Sequence, residues 1–129
     1  MTIRPRSITV IGWGFIVVGC LGILKDMLPL VTSGPSQGLA ALKAQGMGDL
    51  AIAWGTRFLV AVGGAALLAA FNWGRWLIVA WMAFHAAISV LHSALEVLIH
   101  CVIFAPILYF LFRPRSAQYF RDTAAQGLR

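Results

Sequence analysis

The 129-residue chain carries too little charge and too much apolar surface for an ordinary soluble domain. Hydrophobic residues make up 60% of the chain and charged residues 11%, whereas soluble domains are typically about 45–50% apolar and about 25% charged. A lipid bilayer tolerates such a surface, provided that spanning segments satisfy their own backbone groups as helices or closed barrels. Barrel strands alternate apolar and polar residues, and the apolar runs here do not. We therefore predict an all-α integral membrane protein with a single transmembrane domain over residues 1–129.

The charge and the cysteines argue against several other classes. The formal charge of +6 would favour nucleic-acid binding in a soluble protein. Here the arginines flank apolar runs, which predicts contact with anionic lipid and no nucleic-acid partner. Cys20 and Cys101 lie in separate apolar runs without a CxxC pair, so a thiol-redox enzyme or zinc finger is not expected. The sequence also lacks a phosphate loop, a GxSxG elbow and an HExxH motif, and we predict no enzymatic activity.

The first half of the chain contains two predicted spans. Residues 8–24 are almost wholly apolar and are long enough to cross a hydrocarbon core of roughly 30 Å. Residues 25–48 are rich in glycine, proline and serine, which predicts an outer loop, with residues 39–44 as one or two helical turns on the membrane surface. The second span covers about residues 49–71 and is interrupted by Arg57.

The second half contains a long apolar run, residues 76–112, followed by a basic tail at 113–129. A single helix of that length would be about 55 Å long, nearly twice the membrane core. We therefore predict a hairpin of two spans, 76–92 and 96–112, with the turn in the polar stretch between them. The chain as a whole is then a four-helix bundle in the membrane.

The distribution of arginine predicts that both termini are cytoplasmic. With four spans and an inside N-terminus, the outer segments hold Lys25 and Lys43 beside Asp26 and Asp49. Basic residues are concentrated in cytoplasmic segments of membrane proteins, so this asymmetry favours an N-in, C-in topology. The predicted cytoplasmic arginines are Arg4, Arg6, Arg75, Arg113, Arg115, Arg121 and Arg129.

Four polar residues late in the chain are candidates for chemistry. His92, Glu96 and His100 have the i, i+4 spacing of a transition-metal site. His85 and His100, on neighbouring spans, are candidate axial ligands of a haem cofactor. A proton or ion relay would use His85, Arg57 and Glu96. The alternative that we favour is a hydrogen-bonded polar cluster that fixes helix packing and binds no cofactor.

Arg57 and the glycine faces predict helix contacts. An arginine within a span needs a partner, and Glu96 is the expected one, as a buried ion pair, with Asp49 second. Gly12 and Gly19 share a face of the first span, where they allow another helix to approach closely. Packing within the chain is the favoured use of this face, and contact with a second subunit is the other.

The ends of the sequence resemble those of small uncharacterised bacterial membrane proteins. The opening residues are RPRSITVIGWGFI (4–16) and the closing ones LFRPRSAQYF (111–120). The size and the four-span plan are loosely similar to DoxX-like proteins. This resemblance implies the bacterial inner membrane and assigns no catalytic residue.

Together these observations predict a non-enzymatic accessory or assembly subunit of a larger membrane complex. Small size, glycine faces and missing catalytic motifs carry this hypothesis. Its partners would be the lipid bilayer and either a second copy or another membrane subunit. A haem- or metal-binding redox subunit and an oligomeric proton or ion pathway are the alternatives.

Overall fold

The computed structural model describes residues 3–127, which form six α-helices and no strand. Arg129, one of the arginines of the predicted cytoplasmic tail, lies outside the described residues. The predicted all-α fold class is confirmed. The helices are α1 (Arg6–Thr32), α2 (Pro35–Ala44), α3 (Met47–Leu68), α4 (Asn72–Ser89), α5 (Ala94–Phe112) and α6 (Pro114–Ala125).

Among the described residues, three helices are long and apolar enough to cross a membrane. These are α1, α3 and α5, and they make the chain a candidate multi-pass membrane protein in contact with the bilayer. The helix α4, where we predicted a fourth span at 76–92, is not one of the three. Its 18 residues begin with a polar turn that contains Asn72 and Arg75, which lowers the mean hydropathy of the whole helix.

The segment 25–48, predicted as an outer loop with one or two helical turns at residues 39–44, is largely helical, and the predicted turns lie within α2. The helix α1 continues past Lys25 to Thr32, and α2 and the start of α3 fill most of the remainder. Charged residues do not stop a helix when their side chains find partners or solvent. The helix ends where the chain reaches Gly34, which has φ +81°, a conformation that glycine adopts without steric cost.

The long apolar run at 76–112 divides into two helices, as predicted, although it contains no glycine and its proline lies inside α5. Residues Val90–Ser93 separate α4 from α5. Ser93 is extended, with φ −161° and ψ 153°, and its side chain accepts a hydrogen bond from the Glu96 amide. A serine at this position satisfies a backbone N–H that the first turn of a helix leaves without a partner.

The helices α1 and α3 touch at the level of their backbones. A Cβ atom at Gly64 of α3 would lie 2.5 Å from the Gly12 carbonyl oxygen, and one at Gly19 would lie 2.6 Å from the Arg57 carbonyl oxygen. Glycine is the residue that permits such an approach. The face shared by Gly12 and Gly19 is therefore used for packing within the chain.

Other glycines in these helices have open space around them, Gly14 and Gly55 among them. A Cβ atom at Gly14 of α1 or at Gly55 of α3 would meet no atom within 4 Å. Neither glycine is therefore required by the packing of the described residues.

The helices α4 and α5 are antiparallel. Val90–Ser93 joins them at one end, and at the other Arg75 Nη1 donates to the Leu111 carbonyl oxygen over 3.3 Å. The first residues of α1 lie at this second end, because Arg113 Nη2, just past α5, donates to Ser7 Oγ over 3.0 Å. The last residues of α3 lie there too, because Arg4 Nη2 donates to the Leu68 carbonyl oxygen over 2.6 Å. We call it the arginine end.

The helix α6 covers the arginine end and extends the hydrophobic core. Its Tyr119 and Phe120 are buried with the core residues of the other helices. The remaining core residues are Ile8, Phe15, Val60, Leu67, Ala70, Ile78, Met82 and Leu111.

Candidate functional site

The rings of His85 on α4 and His100 on α5 face each other across the antiparallel helix pair. Their centroids are 6.5 Å apart with an interplanar angle of 33°. Trp81 stacks on His85 with a centroid separation of 4.0 Å. Both histidines are partly buried. The structure thus brings together the two residues that the sequence indicated as candidate ligands on neighbouring helices.

Backbone contacts fix the tautomer of both histidines. The Nδ1 atom of His85 lies 3.1 Å from the Trp81 carbonyl oxygen, and that of His100 lies 2.7 Å from the Glu96 carbonyl oxygen. A carbonyl oxygen only accepts hydrogen bonds, so in each neutral ring Nδ1 carries the proton. The Nε2 atom of each ring is then left with a lone pair that can bind a metal ion or accept a proton.

His92 and Glu96 do not join this pair in a metal site. His92 lies in the turn between α4 and α5 and Glu96 in the first turn of α5, and both are exposed. The turn breaks the helix between them, so the four-residue spacing does not place them on one helical face. Within residues 3–127, no three histidine, cysteine or acidic side chains are arranged to hold a metal ion. The predicted His92–Glu96–His100 group is not assembled.

Arg57 forms its ion pair with Asp26 of α1, not with Glu96. The side chains of Arg57 and Asp26 are 26% and 11% exposed. Trp54 Nε1 also donates to Asp26 Oδ2 over 3.1 Å. No hydrogen bond or ion pair links Arg57, His85 and Glu96 directly within the described chain.

Sequence reasoning misses the partner of Arg57 because the apolar run of the first span ends at Leu24. The continuation of α1 places Asp26 on the side that faces α3. Gly22, one turn earlier, makes room for the arginine, because a Cβ atom there would lie 2.7 Å from Arg57 Cδ. The four-residue spacing of Gly22 and Asp26 is the sequence signal that both face Arg57. It can be recognised only if α1 is known to continue past Leu24.

An open apolar groove lies between α1, α4 and α5. Its volume is about 450 Å³. His100 and Trp81 are among its lining residues, and so is Gly14 of α1, which contributes no side chain. The other lining residues are Val10, Ile11, Phe15, Val18, Met82, Ile103 and Ile107.

At the arginine end, guanidinium groups bind neutral acceptors. Arg75, which is 8% exposed, donates to the Leu111 carbonyl oxygen and to Asn72 Oδ1. Its guanidinium carbon also lies 4.9 Å and 4.7 Å from the ring centroids of Phe112 and Phe120, which is cation–π distance. The carbonyl groups at helix C-termini have no intrahelical partner, so the arginine side chain stabilises the end of α5.

Arg113 ties α5 to α1 at the same end. Its Nη2 atom donates to Ser7 Oγ over 3.0 Å, and its guanidinium carbon lies 5.1 Å from the Phe110 ring centroid. The arginines that predicted the topology thus also connect the helices.

No protein-family model, curated protein or solved structure matches the chain. The likeness to DoxX-like proteins therefore stays a resemblance of size and of the predicted plan, and no family is identified.

We predict that Asp26→Asn destabilises the protein, whereas Glu96→Gln has little effect. Asp26→Asn leaves the partly buried Arg57 without its counter-charge, which costs about 1–3 kcal/mol of unfolding free energy. Breaking such a pair costs more than replacing both partners with apolar residues, so the double change Asp26→Leu with Arg57→Leu should be milder than Asp26→Asn. Thermal unfolding in one detergent measures all three variants. A larger loss of stability in Glu96→Gln than in Asp26→Asn would contradict the pairing.

Proposed function

We propose that the chain is a four-helix membrane protein that acts as a non-enzymatic accessory or assembly subunit of a membrane complex. The observation that carries this proposal is the open groove between α1 and α5, which is lined in part by Gly14, a residue with open space around it. A helix of a second copy or of another subunit would pack there.

Helices in lipid associate through close packing. Apolar side chains gain little by leaving lipid tails, so van der Waals packing and small residues at the contact drive association. The groove offers such a contact, and α5 beside it is exposed along most of its length. Only 6% of its most apolar 18-residue window is buried. A neighbouring helix would therefore pack more closely against this surface than lipid tails do.

Two features support a fourth span and cytoplasmic termini. The helix α4 is antiparallel to α5 and joined to it at both ends, which favours a position of α4 within the membrane beside α5. Six of the seven arginines outside α3 are described, and they lie in α1, α4 or α6 or next to these helices. Their side of the membrane would be the cytoplasm, in the bacterial inner membrane that the resemblance implies.

We predict that Gly14→Leu dissociates the native assembly, whereas Gly55→Leu does not. Neither substitution brings a Cβ atom within 4 Å of another atom of the described chain, so both variants should keep the thermal stability of the isolated protein. The leucine side chain introduced by Gly14→Leu would fill the groove and block a partner helix. Light scattering and native electrophoresis of protein extracted in mild detergent measure the assembly. A monomeric wild type, or dissociation by Gly55→Leu alone, would overturn the proposed interface.

We predict that the two ends of the bundle lie on opposite sides of the membrane. A reporter fused after residue 127 should be active in the cytoplasm, and one inserted at Ser36 should be active only outside it. The physical reason is the retention of arginine-rich segments on the cytoplasmic side. A cytoplasmic signal from the Ser36 reporter would contradict the four-span topology.

A second function, as a haem- or metal-binding redox subunit, is favoured by the geometry of His85 and His100. Both Nδ1 atoms are held by backbone carbonyl groups, which leaves both Nε2 atoms free to bind a metal. Two imidazoles that share one ion at about 2 Å from each nitrogen have centroids about 5–6 Å apart, so the pair, at 6.5 Å, would have to move slightly closer to bind one.

We predict for this second function that the purified protein carries a bound metal or a haem absorption band. Either should be lost in His85→Ala and in His100→Ala, and retained in His92→Ala, since His92 lies outside the pair. Metal analysis and the visible spectrum measure the two cases. A colourless and metal-free wild type after expression with added haem and transition metals would exclude this function.

A further inference from the structure

We propose that the arginine end selects acidic phospholipids by binding their phosphate headgroups along the outer face of α6. The inference needs the membrane placement of the bundle and is independent of the proposed accessory role. It concerns a surface that the groove and the histidine pair do not use.

The helix α6 has one face for the bundle and another for its surroundings. Ser116, Tyr119, Phe120 and Thr123 are buried, with the three- and four-residue spacing of one helical face. Arg115 and Arg121 are exposed on α6, and Arg6 is exposed at the start of α1. An amphipathic helix of this kind lies along a membrane surface with its cations toward the headgroups.

The arginine end has far fewer carboxylates than arginines. Among the described residues it holds six arginines, while Asp122 is the one carboxylate of α6, and none of them forms an ion pair. The six are Arg4, Arg6, Arg75, Arg113, Arg115 and Arg121.

Two of these arginines also keep buried donors without an acceptor. The Nε atoms of Arg75 and Arg113 are buried and have no hydrogen-bond partner. A cation removed from water without a counter-charge is costly, and the cost falls when an anion approaches the surface above it. A phosphate group supplies both negative charge and acceptor oxygens in the geometry that guanidinium groups bind best.

The position of the patch favours a lipid headgroup over a free anion. Trp73 and Trp76, in the first turns of α4, are 49% and 59% exposed at the same end. Tryptophan is enriched at the level of the headgroups. The arginines therefore lie where phospholipid phosphates are concentrated, and anionic lipids attract basic residues at this depth.

The test measures lipid preference with the full chain in bilayers. Spin-labelled phosphatidylglycerol and phosphatidylcholine report the relative association of each lipid with the protein. We expect the wild type to prefer the acidic lipid and this preference to weaken at high salt. The double variant Arg115→Gln with Arg121→Gln should reduce the preference by about fivefold for each arginine removed. The matched control is Lys25→Gln with Lys43→Gln, two exposed cations outside the arginine end, which should keep the preference.

The outcomes separate this inference from its alternatives. Equal association of the two lipids in the wild type, or equal losses in the arginine and lysine pairs, would overturn it. Loss of the preference on adding inorganic phosphate or a short RNA at moderate ionic strength would assign the patch to a soluble anion instead. The Gly14→Leu variant should retain the preference, so failure of the proposed subunit interface would leave this result unchanged.

Discussion

The backbone contact between α1 and α3 is the constraint on which the rest of the bundle depends. The two helix axes lie so close that no side chain separates them where Gly64 meets Gly12 and where Gly19 meets Arg57. In lipid, where the hydrophobic effect does not drive helices together, this close packing is a main source of stability. It also puts Asp26 within reach of Arg57 and holds α1 beside the groove that faces α5.

The buried and partly buried arginines of the bundle are stabilised in two different ways. Arg57 pairs with the Asp26 carboxylate, which also accepts a hydrogen bond from the Trp54 indole, so the charge of Arg57 is balanced within the chain. Arg75 and Arg113 instead bind carbonyl, hydroxyl and amide oxygens and lie over aromatic rings. These arginines stabilise helix ends, and because their acceptors are neutral, their positive charge is not neutralised. The two kinds of support lie in different parts of the bundle, which gives the molecule a polarity along its helix axes.

Composition and charge were enough to predict the helices, and not enough to predict what their side chains contact. The hairpin near Ser93, the spans around α3 and α5 and the glycine face of α1 follow from apolar length and small-residue spacing. The end of α1 does not, because a charged residue continues a helix when another helix supplies its partner. The choice of Asp26 over Glu96 therefore required the three-dimensional packing. The metal spacing at His92 failed because a turn interrupts the periodicity on which that interpretation depended.

The turn between α4 and α5 is made by four residues, Val90–Ser93. Val90 is helical, Leu91 and His92 donate to carbonyl groups three residues earlier, and Ser93 has the extended backbone. If Ser93 became helical, residues 72–112 would form one rod of about 60 Å, too long for the membrane core. The extended backbone of Ser93 thus keeps α4 and α5 as two antiparallel helices, each short enough to fit within the thickness of the membrane core.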